Sequence, residues 1–192
     1  MDKKESSLKN MVFTLLVISL VASLALGGIY NLTKEPIAQA RKARQEKAIR
    51  EVIPEFDSLK RYKVMPERGK DSLVFYEGYH LDSLIGTAVE TYSDKGFDAT
   101  PIQLMVGFTP NKIIRNISVI QQKETPGLGT KMKEPQFRDQ FKGKDPSVFK
   151  MTVKKDGGDV DAITAATISS RAFCDAVNRA CKAIKKEGGQ AK

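Results

Sequence analysis

No residue from Asn10 to Thr33 carries a charge, and the core of that run, Met11 to Leu32, is 22 residues long. As a helix it spans about 33 Å at ~1.5 Å per residue, which matches the hydrocarbon thickness of a bilayer. A cleaved signal peptide is the rival reading. Ala25 and Gly27 are small enough to precede a cut, but the apolar run continues past them through Ile29 and Tyr30, and no Cys follows to take a lipid. An uncleaved anchor is therefore expected. The expected organisation is a tail and anchor over 1–33, a juxtamembrane helix and linker over 34–72, and one soluble domain over 73–192.

The net charge is +9, of which the first 33 residues supply only +1. Such an excess fits nucleic acid, an anionic membrane surface or an acidic redox partner. The basic residues form no nucleic-acid motif, so no nucleic-acid partner is expected. Lys34, Arg41, Lys42, Arg44 and Lys47 follow the apolar run directly and suit lipid headgroups. Cys174 and Cys181 are seven apart on one expected helix, about 10 Å along its axis, too far for a disulfide. They read as small buried apolar residues. With His80 the only histidine, no metal site is expected.

The expected fold class is α+β: a single N-terminal transmembrane helix, then an antiparallel-sheet-rich domain with flanking helices. Glu35–Val52 reads as a helix with Ile37, Ala40, Arg44, Ala48 and Val52 at helical spacing, ended by Pro54. Residues 55–72 read as irregular. Strands are expected at Leu73–His80, Leu84–Thr91, Ile102–Phe108, Ile113–Gln121 and Val148–Val153. Gly86 and Gly107 mark bulges or a close backbone approach. Lys131–Phe141 reads as a short helix. Arg171–Lys186 reads as an amphipathic one, with Ala172, Phe173, Ala176, Val177, Ala180 and Ile184 inward and Gly188-Gly189 as its stop.

Two stretches carry chemistry. Asp161–Ser170 joins the Asp156-Gly157-Gly158-Asp159 loop to the last helix and packs four hydroxyls, Thr164, Thr167, Ser169 and Ser170, into seven residues. With the helix starting near Ser169 or Ser170, its free N–H groups and macrodipole favour an anion, a phosphate above all. By itself, such a stretch is more commonly a plain Ser/Thr N-cap. The second is Glu124-Thr125-Pro126-Gly127-Leu128-Gly129. Its turn signal and side-chain-free Gly129 let main-chain groups lie against a flat ligand, with Leu128 to cover an apolar ring; a plain hairpin loop reads the same way.

The first stretch resembles the flavin-attachment motif, Asp-x-x-Ser/Thr-Gly-Ala-Thr, of the FMN-binding subunits of bacterial ion-pumping redox complexes. These are the G subunit of the Rnf-type complex and the C subunit of the sodium-pumping NADH:quinone reductase. Asp161, Thr164, Ala166 and Thr167 match, and Ala165 stands where the family has Gly. The Glu124–Gly129 sequence is typical of the Rnf protein. Phe137 and Phe141-Lys142-Gly143-Lys144 are similar to the segment the family carries next. The resemblance covers about residues 73–186, with the anchor matching in kind.

The resemblance implies FMN joined by a phosphoester to Thr167. Thr164, Ala166, Ile168 and Ser169 would surround the phosphate, and Glu124, Thr125, Gly127, Leu128 and Gly129 the ring. Asp161 would belong to the motif read by a flavin transferase. The implied function is electron relay within an Rnf-type ion-translocating ferredoxin:NAD oxidoreductase, by an electron-transfer subunit with no catalytic residues of its own. The alternatives are the C subunit of a sodium-translocating NADH:quinone reductase, a stand-alone extracytoplasmic FMN carrier, and an anchored adaptor without flavin. The implied partners are the other subunits of the pump, the transferase and the membrane. The implied location is the cytoplasmic (inner) membrane, single-pass, with the domain on the periplasmic side. A bare Lys/Arg count opposes that orientation, though long domains translocate largely regardless of charge.

Overall fold

A computed structural model of the chain describes residues 8–65 and 72–190. It divides into two compact units, residues 1–43 and 44–192. The polar tail and the end of the linker, residues 1–7 and 66–71, lie outside the described residues.

Helix α1 (Leu8–Val52) supplies all that is described of the first unit. Its most apolar window has a mean hydropathy of 2.4 and none of it is buried. By length and composition it can cross a membrane. No second helix starts at Glu35, because α1 continues through Pro36. Proline removes one helical hydrogen bond without necessarily ending the helix. Ile37, one of the residues at helical spacing, is 64% exposed.

The second unit is built on one antiparallel sheet in the order β1-β2-β3-β4-β5. The strands are β1 (Ser58–Val64), β2 (Leu73–His80), β3 (Ser83–Ser93), β4 (Ile102–Phe108) and β5 (Ile114–Gln121). Four match the expected strands. β1 does not: its residues were expected to be irregular, yet it pairs with β2 from Ser58↔Tyr79 to Val64↔Leu73. It hides in the sequence because it is an edge strand carrying Lys60, Arg61 and Lys63, and a charged edge resists further pairing.

Helices cover both faces of the sheet. On one, Ala48, Ile49 and Val52 from the end of α1 pack with Tyr76, Ala88 and Met105. Here β4 has Gly107, where a Cβ would collide with the Val52 backbone, so the expected close approach is real. The other face carries the larger core, formed with α3 (Thr167–Gln190). The six residues expected on the inner face of α3 are all buried. Phe137, Phe141 and Phe173 form an aromatic cluster with ring centroids 5.1 to 5.9 Å apart. Burial pushes the thiols of Cys174 and Cys181 up to about 12, so both are protonated at neutral pH.

Three expectations between β5 and the C-terminus need correction. The helix over Lys131–Phe141 is broken into a 3₁₀ turn (Gly129–Lys133), the single turn α2 (Pro135–Arg138) and another 3₁₀ turn (Asp139–Phe141). Pro135 holds Glu134 extended, at φ −72° and ψ 142°, and so interrupts it. The strand over Val148–Val153 is absent, save for a single bridge from Val153 to Val160. The Asp145 carbonyl accepts the N–H groups of Val148 and Phe149 at 3.1 and 2.9 Å, and the Asp159 carboxylate that of Lys150 at 2.7 Å, occupying donors a ladder would need. Finally, α3 begins at Thr167, ahead of Ser169, and runs to Gln190 through the two glycines expected to stop it.

Candidate functional site

The start of α3 is shaped by a tight turn. Ala165 has φ 60°, in the left-handed region, and the Ala166 N–H donates to the Ile163 carbonyl at 3.0 Å. The Ala166 carbonyl then accepts the Ser170 N–H at 3.0 Å, the first hydrogen bond of the helix. Thr167, Ile168 and Ser169 therefore occupy the first helical turn, where N–H groups lack an intrahelical acceptor.

The alanine at 165 keeps the conformation that a glycine would adopt without strain. The left-handed region costs a non-glycine residue roughly 1–2 kcal/mol, partly offset by the greater unfolded-state freedom of glycine. Ala165→Gly is accordingly expected to stabilise the domain by up to about 1 kcal/mol, read as a higher denaturation midpoint. A lower midpoint would mean that the turn is not strained.

The four hydroxyls separate cleanly. Ser170, fully buried, donates to the Ala166 carbonyl at 2.9 Å and accepts the Ile163 N–H at 2.9 Å. Ser169, also buried, donates to Glu124 Oε2 at 2.5 Å. Thr164 is exposed and Thr167 half-buried, and neither hydroxyl has a partner among the described residues. Two of the four are thus committed to the fold.

Glu124 joins this turn to the other motif. It is buried, and its Oε1 accepts the N–H groups of Phe97 at 3.0 Å and Asp98 at 3.4 Å, while Oε2 takes the Ser169 hydroxyl. One carboxylate thereby ties three segments together: the turn after β3, the 124–129 loop and the first turn of α3. Both neighbouring glycines are required by it. A Cβ on Gly96 would lie 2.5 Å from Glu124 Oε1, and one on Gly129 2.5 Å from Ser169 Oγ. The loop itself closes through Leu128 N–H and Thr130 N–H donating to the Thr125 carbonyl, at 3.2 and 3.3 Å, with Gly127 at φ 75°. Leu128 and Ile168 are left partly in solvent, at 39% and 47% exposed.

Of the residues expected to bind a cofactor, Glu124, Gly129 and Ser169 lie together at the buried node, where protein groups already meet their hydrogen-bonding needs. Ala166 is buried beneath the turn, and Thr125, Gly127, Leu128, Thr164 and Ile168 are exposed. Phe97 joins the node without any sequence signal, because its contact uses a backbone N–H, which nearly every residue has.

Two flanking cations, Arg171 and Lys154, are already paired. Arg171 holds Asp156 by two hydrogen bonds of 2.6 and 2.7 Å, which keep that carboxyl below its ordinary range. Lys154 pairs with Asp161 at 2.8 Å. A phosphate at this turn would therefore depend on backbone N–H groups and the dipole rather than on these side chains. A cleft of about 390 Å³ opens beside Thr164, lined by Lys131, Glu134, Phe137, Gln140 and Ile163 among others. Its mixed charges make a poor bed for a flat apolar ring, whereas Leu128 and Ile168 offer apolar surface.

Comparison with known proteins gives concordant findings. Residues 96–182 match the model of a family described as "FMN-binding domain". The chain is 31% identical over 193 residues to the G subunit of the ion-translocating oxidoreductase complex of Methanosarcina acetivorans, covering 98% of this chain and 99% of that one. It is 31% identical over 178 residues to the G subunit of the Na(+)-translocating ferredoxin:NAD(+) oxidoreductase complex of Acetobacterium woodii, covering 85% of each. Among solved structures, that of Shewanella oneidensis NqrC matches with a TM-score of 0.46 and 22% identity, over 69% of this chain and 65% of that one.

Proposed function

The chain belongs to the G-subunit family of ion-translocating oxidoreductase complexes, and from that premise we propose that it is a membrane-anchored electron carrier whose FMN is joined through its phosphate to Thr167. The observation that carries the reading is the division of the four hydroxyls. Ser169 and Ser170 are bound within the fold, and of the two free ones only Thr167 lies in the first turn of α3. There the N–H groups and the dipole stabilise a negative group by about 0.3–1 kcal/mol, rising to ~2 where partly buried.

FMN supplies a redox centre that accepts and releases electrons. The chain supplies its position. The threonine keeps the flavin from leaving between turnovers, α3 neutralises part of the phosphate charge, and the 124–129 loop lays main chain and Leu128 against the ring. No general acid or base is assigned to the chain's residues, which bind and position the flavin. The electrons pass to and from other subunits of the complex, and a flavin transferase attaches the FMN, with Asp161 part of the sequence it reads. The domain stands on the periplasmic side, as the family resemblance implies.

One experiment addresses attachment and orientation together. Protease added to intact spheroplasts should release a domain fragment that fluoresces under ultraviolet light in a denaturing gel. Release only after lysis would reverse the orientation. A released but dark fragment would remove the covalent flavin.

A further inference from the structure

Three apolar side chains stand in solvent around the Glu124 node: Phe97 at 70%, Ile168 at 47% and Leu128 at 39% exposed. They come from three separate segments that meet at Glu124: one bonds its carboxylate directly, one adjoins a residue that does, and one adjoins a glycine packed against it. Phe97 donates its own N–H to Glu124, Ile168 precedes Ser169, and Leu128 precedes Gly129. A single exposed apolar residue needs no explanation. Convergence of three around one buried acid does, because large apolar side chains left in water forgo the stabilisation that burial gives.

The turn bearing Phe97 is well held. Glu124 receives the N–H groups of Phe97 and Asp98, Asp98 Oδ1 accepts the Thr100 N–H at 2.7 Å, and Lys95 pairs with Asp175 of α3 at 2.7 Å. The backbone is fixed on both sides of Phe97 while its ring faces solvent. Two hydrogen bonds through one carboxylate link this backbone to Ser169, two residues from Thr167. A flat aromatic ring tethered at Thr167 is an occupant of the right shape and apolarity for this surface.

We infer that Phe97 is a contact of the flavin ring, presented to it by the Glu124 carboxylate, resting on the reading of Thr167 as the FMN-bearing residue. Phe97 covers apolar ring surface; it takes no part in electron or proton transfer. Its backbone, not its side chain, is what Glu124 controls.

The chain contains no Trp, so a single introduced one can report on contact. An indole quenches an excited flavin by electron transfer only at close range. In natively produced holoprotein, Phe97→Trp should abolish most of the flavin fluorescence, with intact mass still showing one FMN. Val148→Trp, at a position 80% exposed outside the node, should leave the fluorescence at the wild-type level. In the Phe97→Trp background, Glu124→Ala should restore fluorescence by releasing the turn. Glu124→Gln, which keeps a carbonyl oxygen for the two N–H groups, should stay quenched. Fluorescence at the wild-type level in Phe97→Trp, with FMN present by mass, overturns the contact. Quenching that survives Glu124→Ala removes the carboxylate from its presenting role. Absence of FMN from the wild-type mass instead defeats the underlying reading of Thr167.

Discussion

Replacing Thr167 with Ala is expected to abolish covalent flavin while leaving the fold intact. The side chain is half-buried and its hydroxyl has no partner among the described residues, so no internal hydrogen bond is lost. Alanine at the first helical turn costs little, since it has the best helix propensity of all residues. Thr164→Ala is expected to lower flavin content at most in part, because Thr164 lies before the turn at Ala165 and outside the helix. Ser169→Ala tests a different thing: it removes a partner from a buried carboxylate and should cost about 1–3 kcal/mol of stability. Peptide mass spectrometry of the 161–171 fragment separates these outcomes. An FMN mass on Thr164, Ser169 or Ser170 with Thr167 unmodified would falsify the assignment.

Gly129→Ala is expected to destabilise the domain by about 1–3 kcal/mol, the usual cost of overpacking a closed site. The added Cβ would stand 2.5 Å from Ser169 Oγ, 2.7 Å from Glu124 Cβ and 3.0 Å from Glu124 Oε2. Ser169 and Glu124 are both buried and hydrogen-bonded to each other, so neither can swing aside. The 124–129 loop must move instead. Because the closest of these contacts is with the Ser169 hydroxyl, combining Gly129→Ala with Ser169→Ala should cost less than the sum of the single changes. Denaturant midpoints of the full chain in detergent give this coupling directly. Strict additivity would show that the two motifs do not bear on each other as the structure has them.

The sequence by itself determined the features that rest on local pattern. An uncharged run of helical length dictates a helix able to cross a membrane, and short runs rich in β-branched and aromatic residues between turn signals dictate β2 to β5. The inner face of α3 followed from its spacing, and the family from two short motifs. Patterns also misled where a short-range competitor was stronger: Pro135 broke an expected helix, and Asp145 and Asp159 displaced an expected strand. A charged edge strand, β1, gave no pattern at all, because its pairing depends on β2 rather than on burial of its own side chains. Tertiary structure alone decided which hydroxyls are free. Serine and threonine are interchangeable in a sequence, but Ser169 meets a carboxylate 45 residues away and Ser170 caps its own turn. It likewise decided that Glu124 is internal. An acid in a glycine-rich loop reads as exposed until the N–H groups of Phe97 and Asp98 arrive from another segment to solvate it.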